Sequence, residues 1–300
     1  MRMENEIMKI IKPSVEYFGE VPTEYNAALK FIEMAGRTCY KSEDKITEDS
    51  AKGFVRKLSK AGHLAMVEHS NFVVRTNNSF TPTYIALMTE QLGKYINVKV
   101  WKDFIYVGGS LTAWAQITME IRYAAVLVPF VKIYGKLFNQ SMVAMHSSWE
   151  VCSHDEIPKE LHRYSAKFIC DRGVSHELVR HRPCSFAQES TRYVNYGGKN
   201  MEFIEPEGFD DWKTYDKDVF LGACRQAEGN YNWLLDGKTC SPQQARAVLP
   251  NALKTEIVVT ADAAEWVHIF KLRCAPSAHP DFRRLALMLK DKFISSGLLC

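Results

Sequence analysis

The amino-acid sequence predicts a folded chain that mixes helices with extended segments, on three observations. Apolar positions recur at helical spacing in several windows and follow extended patterns in others, with caps and breakers between them. The composition, 46% hydrophobic and 24% charged, sits near the globular average, which excludes a disordered or fibrous chain. At 300 residues there is room for one large domain or two coupled ones.

Taken in order, the first 22 residues suggest a strand and a turn around Val15, Tyr17 and Val21. Tyr25, Ala28, Phe31, Ile32 and Ala35 make a helical face with Gly36 as the expected stop. Phe54, Val55, Leu58 and Ala61 mark a second helix that Gly62 ends, leaving His63 just past its C-terminus. Glu68 to Arg75 is expected to be extended, running into the turn-rich Thr76-Asn77-Asn78-Ser79. Residues 79 to about 158 read as mostly helical, with a helix at Thr83 to Leu92, a strand-like Phe104 to Val107 and a Gly108-Gly109 turn. From Pro158, the residues Leu161, Tyr164, Ala166, Phe168 and Ile169 predict an amphipathic helix closed by Gly173. A short helix is expected from Ser175 to Arg182, since Pro183 disfavours helical backbone before it.

The last hundred residues carry clearer punctuation. Val219, Phe220, Ala223, Ala227, Tyr231, Leu234 and Leu235 predict a long helix with Gly237 past its end. Ser241-Pro242-Gln243-Gln244 is a capping box with proline at the first helical position. Thr255 to Thr260 predicts a strand, and Asp262 with Glu265 caps a helix that delivers Arg273 at its end. Pro280 opens a final helix through Phe282, Leu285, Ala286, Leu289 and Phe293.

Charge and cysteine usage narrow the function. The 38 basic and 35 acidic residues leave +3, too little for a general nucleic-acid or membrane-surface role, so any anion is held locally. Eight dispersed cysteines in a chain of this size suggest reduced thiols in a cytoplasm, and no targeting or membrane segment is expected. Cys152, His154, His162 and Cys170 match no common zinc-finger spacing, and no metal is expected.

Between Arg180 and Tyr193 the sequence RHRPCSFAQESTRY packs three arginines, a histidine, a glutamine and three hydroxyl residues into 14 positions. If the segment after Pro183 is extended, Gln188, Ser190 and Arg192 project to one side. An amide suits the edge of a base, and a hydroxyl with a guanidinium suits phosphate, so the trio fits a nucleotide. Arg180, His181 and Arg182 beside it could bind a second anionic ligand. A solvated basic turn is the plain alternative. Cys184, next to the arginines, is also weighed as a thiolate nucleophile against an inert thiol.

Arg180-His181-Arg182 followed by PCSFAQE and Ser190 resembles the signature of the flavin-dependent thymidylate synthases of the ThyX type. Gly62-His63-Leu64 with Glu68-His69-Ser70-Asn71-Phe72 resembles that family's N-terminal GH...EHxxF element, and Gly36-Arg37-Thr38-Cys39-Tyr40 its early arginine-containing turn. Gln244 to Pro250, Thr255-Glu256 and Leu272-Arg273 follow at family-like spacing. The resemblance implies an α/β (α+β) fold, a mostly antiparallel sheet flanked by helices. It implies one unit over residues 1–300 with a largely helical insertion at about 76–160, assembled as a homotetramer with shared active sites.

The implied activity is reductive methylation of dUMP to dTMP, with methylenetetrahydrofolate as carbon donor, FAD carrying the hydride and NADPH refilling it. By the same resemblance Arg273 is the catalytic cation, and Glu177, Arg180, Gln188, Ser190, Arg192, Arg246 and Arg273 bind dUMP. His63, Arg180, His181, Arg182, Gln188 and His268 hold FAD. Several positions depart from the family pattern: Glu177 replaces a common glutamine, Cys39 a serine, Ala65 a hydroxyl residue, Ala264 an arginine and His268 an asparagine, while Ser277-Ala278-His279 replaces His-Ala-Gln. A pyrimidine hydroxymethylase would use the same binding parts, and a non-catalytic flavin- or nucleotide-binding protein is the rival from another class.

Overall fold

The computed structural model describes residues 8–77, 90, 96–120, 125–138, 147–198, 200–237 and 239–299. Helices flank antiparallel sheets, as the fold class requires. The central sheet has the order β2 (Ser14–Glu20), β7 (Arg163–Asp171), β10 (Lys254–Asp262) and β8 (Ser185–Gln188), all antiparallel. A second antiparallel sheet orders β4 (Asn97–Trp101), β5 (Phe104–Gly109), β3 (Phe72–Asn77) and β6 (Glu150–Val151). Strands β1 (Lys9–Ile11) and β9 (Glu202–Ile204) form a small parallel pair.

Strands β7 and β10 pair along nine positions, from Asp171 opposite Lys254 to Arg163 opposite Asp262. On one face, Tyr164, Ala166, Phe168 and Cys170 alternate inward with Ile257, Val259 and Ala261 of β10. They pack against three helices, α5 (Arg172–Leu178), α8 (Ala263–Arg273) and α9 (Pro280–Ser295), through Leu178, Trp266 and Phe293. The opposite face contributes Ala187 and Val258 to a second core. That core holds α1 (Tyr25–Tyr40), α2 (Ser50–Lys60), α3 (Leu111–Glu120) and α4 (Val128–Phe138), with Trp114 and Phe130 fully buried. Helices α6 (Thr214–Asp236) and α7 (Pro242–Ala245) cover the β1–β9 pair.

The capping signals near the C-terminus hold. Asp262 accepts from Glu265 N, the capping box at Ser241 and Gln244 is formed, and Gly237 lies just past α6. Elsewhere the chain departs from its patterns. The segment expected as a helix from Leu161 to Ile169 is strand β7, because Tyr164, Ala166, Phe168 and Cys170 are buried at spacing two. The helix expected at Ser175 starts at Arg172, where Asp171 accepts from Val174 N, and stops at Leu178 rather than Arg182.

Gly36 does not end α1. It lies inside the helix, where a Cβ would sit 2.7 Å from the Phe54 ring, and the helix closes at the left-handed Lys41, so Arg37 is in a last helical turn rather than a loop. The first segment holds two strands, β1 and β2, and Glu68 belongs to a 3-10 turn that precedes β3. Gly108 and Gly109 lie within β5, where a Cβ on Gly109 would meet Ile96 at 2.7 Å. In the 76–160 region α3 and α4 agree with the helical expectation and β5 contains the strand-like Phe104 to Val107, but β4 and β6 add further strands. The helix expected at Thr83 to Leu92 lies, apart from Glu90, outside the described residues.

Phe168 is fully buried at the centre of β7. Phe168→Ala is expected to cost about 3–5 kcal/mol of unfolding free energy. Urea denaturation followed by circular dichroism measures this, and a loss below about 1 kcal/mol would contradict the central place of β7.

Candidate functional site

Two short connections place the predicted residues. At the end of β7, Asp171 caps α5, and α5 spans about 10 Å before Glu177 reaches its last turn. At the end of β10, Asp262 caps α8, whose last residue is Arg273. The two helix ends meet. Arg273 Nη1 donates to Glu177 Oε2 at 2.5 Å, Nη2 donates to the Glu177 carbonyl at 3.3 Å, and Nε donates to His181 Nε2 at 3.1 Å. The Phe282 ring lies 4.8 Å from the guanidinium carbon. Three of the five guanidinium N–H bonds are thereby used, leaving one on each terminal nitrogen.

His181 is buried, with Nδ1 3.3 Å from Glu265 Oε1 and its ring 6.0 Å from that of the exposed His268. Burial, then the Arg273 charge, then His268 lower its pKa to about 4, so the imidazole is neutral near pH 7 and accepts the Arg273 N–H through Nε2. This places the buried His181 beneath Arg273, with its Nε2 taken by the guanidinium. Arg180 and Arg182, its neighbours in sequence, are exposed, and neither guanidinium has an acidic partner among the described residues.

The nucleotide-like trio is arranged differently from an extended row. Strand β8 ends at Gln188, whose Nε2 donates to Ser175 Oγ at 2.8 Å and Thr255 Oγ1 at 3.3 Å. The chain then turns, with Tyr193 N and Val194 N both donating to the Ser190 carbonyl, so Ser190 and Arg192 do not continue the strand. Arg192 Nε donates to Gln243 Oε1 at 2.7 Å, and Arg246 Nη1 donates to Thr191 Oγ1 at 3.1 Å. The fold therefore brings Arg192 and Arg246 to one turn, through α7 and the residues after it. Both are exposed cations on neutral partners.

His63 joins this side through an aromatic path. Its Nδ1 is 2.8 Å from Tyr40 Oη, the Tyr40 and Tyr193 rings are 5.5 Å apart, and Ser190 N donates to the Cys39 carbonyl. Behind Arg182 lies a cavity of about 390 Å³ between the 76–160 region and the central sheet, lined by Arg182, Ser185, Asp262, Asn97, Ser110 and Gln116 among others. Cys184 is buried, and burial pushes its thiol far above the ordinary range, which removes it as a nucleophile.

Sequence reasoning missed Arg172, Ser175, Thr255 and Glu265, which hold the named residues. Arg172 Nη1 donates to the Glu189 carbonyl and Thr255 Oγ1. The visible signal for Arg172, Ser175 and Glu265 is the aspartate at each strand end, which starts the helix carrying them, whereas Thr255 lies on β10 itself. His69 is also more than an ordinary histidine. It is fully buried, and its Nδ1 donates to Thr260 Oγ1, which donates to Ser165 Oγ, which donates to the Val259 carbonyl.

Burial, aided by the Arg163 charge, lowers the His69 pKa to about 3. The unfolded chain takes up that proton near pH 6.5 and the folded chain does not, so this histidine removes stability as pH falls from 6.5 towards 3. Unfolding free energy should drop between pH 7 and pH 5 by about 2 kcal/mol from His69 alone. In His69→Gln that part of the drop disappears, as urea titrations at the two pH values would read; an unchanged slope would contradict it.

The family model Thy1, described as thymidylate synthase complementing protein, matches residues 134–295, more than half of the chain. A flavin-dependent thymidylate synthase from Geobacter sulfurreducens is 39% identical over 116 residues, 39% of this chain and 49% of that protein. One from Corynebacterium efficiens is 35% identical over 135 residues, 40% of this chain and 53% of that protein. The chain thus spans about half the length of the curated relatives it matches. The solved structure of a UMP/dUMP methylase, PolB from Streptomyces cacaoi bound with 5-Br dUMP, superposes at a TM-score of 0.41 and 15% identity, covering 96% of this chain and 93% of that one.

Proposed function

We propose, for a chain that belongs to the Thy1 family of thymidylate synthase complementing proteins, the reductive methylation of dUMP to dTMP with a bound flavin. The observation that carries this reading is the pair Arg192 and Arg246, exposed cations held by an amide oxygen and a hydroxyl, so that their charge is uncompensated. Two guanidiniums at one turn offer bidentate donors to a monoester phosphate. Gln188 lies at the end of β8 with its amide nitrogen held by Ser175 and Thr255 and its Oε1 without a partner among the described residues, an acceptor for a pyrimidine N–H. Ser190 adds a hydroxyl beside Arg192.

Arg273 supplies the catalytic cation. Its two unused N–H bonds stabilise negative charge developing on a polarised pyrimidine carbonyl, and Glu177 with neutral His181 holds the guanidinium in place before the ligand arrives. Glu177 therefore serves dUMP through Arg273. The donor set fits FAD. Arg180 and Arg182 are exposed and, among the described residues, without acidic partners, which suits phosphate, while His63 on Tyr40 and the exposed His268 offer ring edges. When bound, the flavin supplies the hydride, NADPH restores it, and methylenetetrahydrofolate supplies the carbon.

Residues 1–300 then form one catalytic unit with an insertion at about 76–160. A homotetramer fits the exposed Tyr215 and Trp233 on α6, 77% and 75% accessible. A cytoplasmic setting fits the seven described cysteines, all unpaired. Among the described residues no helix is long and apolar enough to cross a membrane.

The deciding experiment supplies purified protein with FAD, dUMP, methylenetetrahydrofolate and NADPH, and identifies the product by mass. dTMP is expected; 5-hydroxymethyl-dUMP would select the hydroxymethylase, and no flavin binding would remove the proposal. In the same assay Arg273→Ala should form no dTMP while retaining flavin absorbance. Arg192→Ala should weaken dUMP binding by about 2 kcal/mol, the size of a lost charge-assisted contact, as calorimetry would measure. An unchanged dissociation constant would place the phosphate elsewhere.

A further inference from the structure

Away from the arginine cluster, the exit of the 76–160 region meets the central sheet at three side chains. His154 follows β6, His162 immediately precedes β7, and Glu20 ends β2. Glu20 Oε2 is 2.6 Å from His154 Nε2 and 3.1 Å from His162 Nδ1, and the two imidazole rings are 5.0 Å apart and nearly perpendicular. One ligand atom from each of the three residues lies within 4.8 Å of the others.

The hydrogen bonds around this group settle which atoms carry protons. His162 Nε2 is 3.0 Å from the Ile157 carbonyl, which can only accept, so Nε2 carries the hydrogen. In a neutral ring Nδ1 then presents a lone pair, and it presents it to a carboxylate oxygen. Two acceptors 3.1 Å apart repel unless a cation, either a proton or a metal ion, lies between them. The remaining Glu20 oxygen is oriented by Tyr164 Oη, which donates to Oε1 at 3.2 Å. Histidine with its second nitrogen on a backbone carbonyl, and carboxylate with its second oxygen on a hydroxyl, is the outer arrangement of metal ligands.

We propose that Glu20, His154 and His162 bind a divalent transition-metal ion of the zinc class. Two imidazoles and a carboxylate are the donors such ions take, at about 2.0–2.2 Å, which sets the ligand atoms roughly 3 to 3.5 Å apart. The His162 spacing already lies in that range, and His154, half exposed, can open by a few tenths of an ångström. His154 leaves its side open to solvent, so water completes the coordination. The ion ties the end of the inserted region to β2 and β7, independently of the proposed chemistry.

A second group, His181, Glu265 and His268, has similar composition but different surroundings. There the Arg273 guanidinium donates to His181 Nε2, which uses the lone pair and puts a fixed positive charge beside any ion. The Glu20 group has no such cation bonded to it among the described residues. The sequence pattern concealed it because Glu20 is distant from both histidines, and the cysteines at 152 and 170 that suggested a finger contribute no atom.

The test uses the full chain, stripped with a chelator and dialysed, then titrated with Zn²⁺ against a chromophoric competitor and with Co²⁺ read by its visible absorption. About one ion per chain is expected at this site, with Co²⁺ bands free of thiolate charge transfer. His154→Ala and Glu20→Gln should each weaken Zn²⁺ binding at least about tenfold, and Tyr164→Phe, which keeps the packed ring, by about tenfold. Circular dichroism checks that each variant is folded. Absence of Zn²⁺ binding, or binding that the folded double variant His154→Ala/Glu20→Gln leaves unchanged, overturns the proposal.

Discussion

The nine-residue antiparallel pairing of β7 with β10 governs the position of nearly every candidate residue. Each strand ends in an aspartate that caps the next helix, and because the strands run oppositely the two helices start at opposite ends of the pair. Both pack on the same face of the sheet. The strand pair is about 27 Å long. Helix α5 covers about 10 Å of that length and α8 about 16 Å, so their far ends are bound to meet. Glu177 and Arg273 lie at those ends. The contact between them follows from strand length and two caps.

The meeting gives Arg273 a particular electrostatic character. A glutamine at position 177 would leave the guanidinium charge uncompensated; a carboxylate 2.5 Å from Nη1 offsets much of it at longer range. What survives is directional. The two free N–H bonds act at contact distance, where hydrogen-bond geometry outweighs net charge. Neutral His181 assists by taking Nε without adding positive charge, and burial keeps it neutral. Arg192 and Arg246, on neutral partners, instead project full charge. The overall +3 therefore conceals two kinds of arginine, one paired with a carboxylate and the other held by neutral groups.

Much of this was legible where local chemistry decides structure. The capping residues at 241 and 262, the glycine at 237 and the proline at 280 signal correct helix boundaries because a cap acts within three or four residues. Strand β7 was not legible. Leu161, Tyr164, Phe168 and Ile169 satisfy a helical period as well as Tyr164, Ala166, Phe168 and Cys170 satisfy a strand period, and only pairing with β2 and β10 separates the two. The motif residues 180, 181 and 182 are neighbours in sequence, yet two are exposed and one is buried beneath Arg273. A motif names residues; tertiary burial divides their roles.

The 76–160 region packs against the same sheet. Ala187 and Val258 are cross-strand partners in β8 and β10, and both lie in the buried cluster that holds Trp114 and Phe130 from that region. The neighbouring pair, Gln188 and Ile257, points to the opposite face, where Gln188 meets Ser175. One strand therefore has the core that holds Trp114 behind it and the candidate amide of Gln188 in front. Packed interiors transmit displacement because they have few voids to absorb it. A change of volume near Trp114 is therefore transmitted to β8 and, with β8, to the amide of Gln188, which couples the core of the 76–160 region to the candidate site.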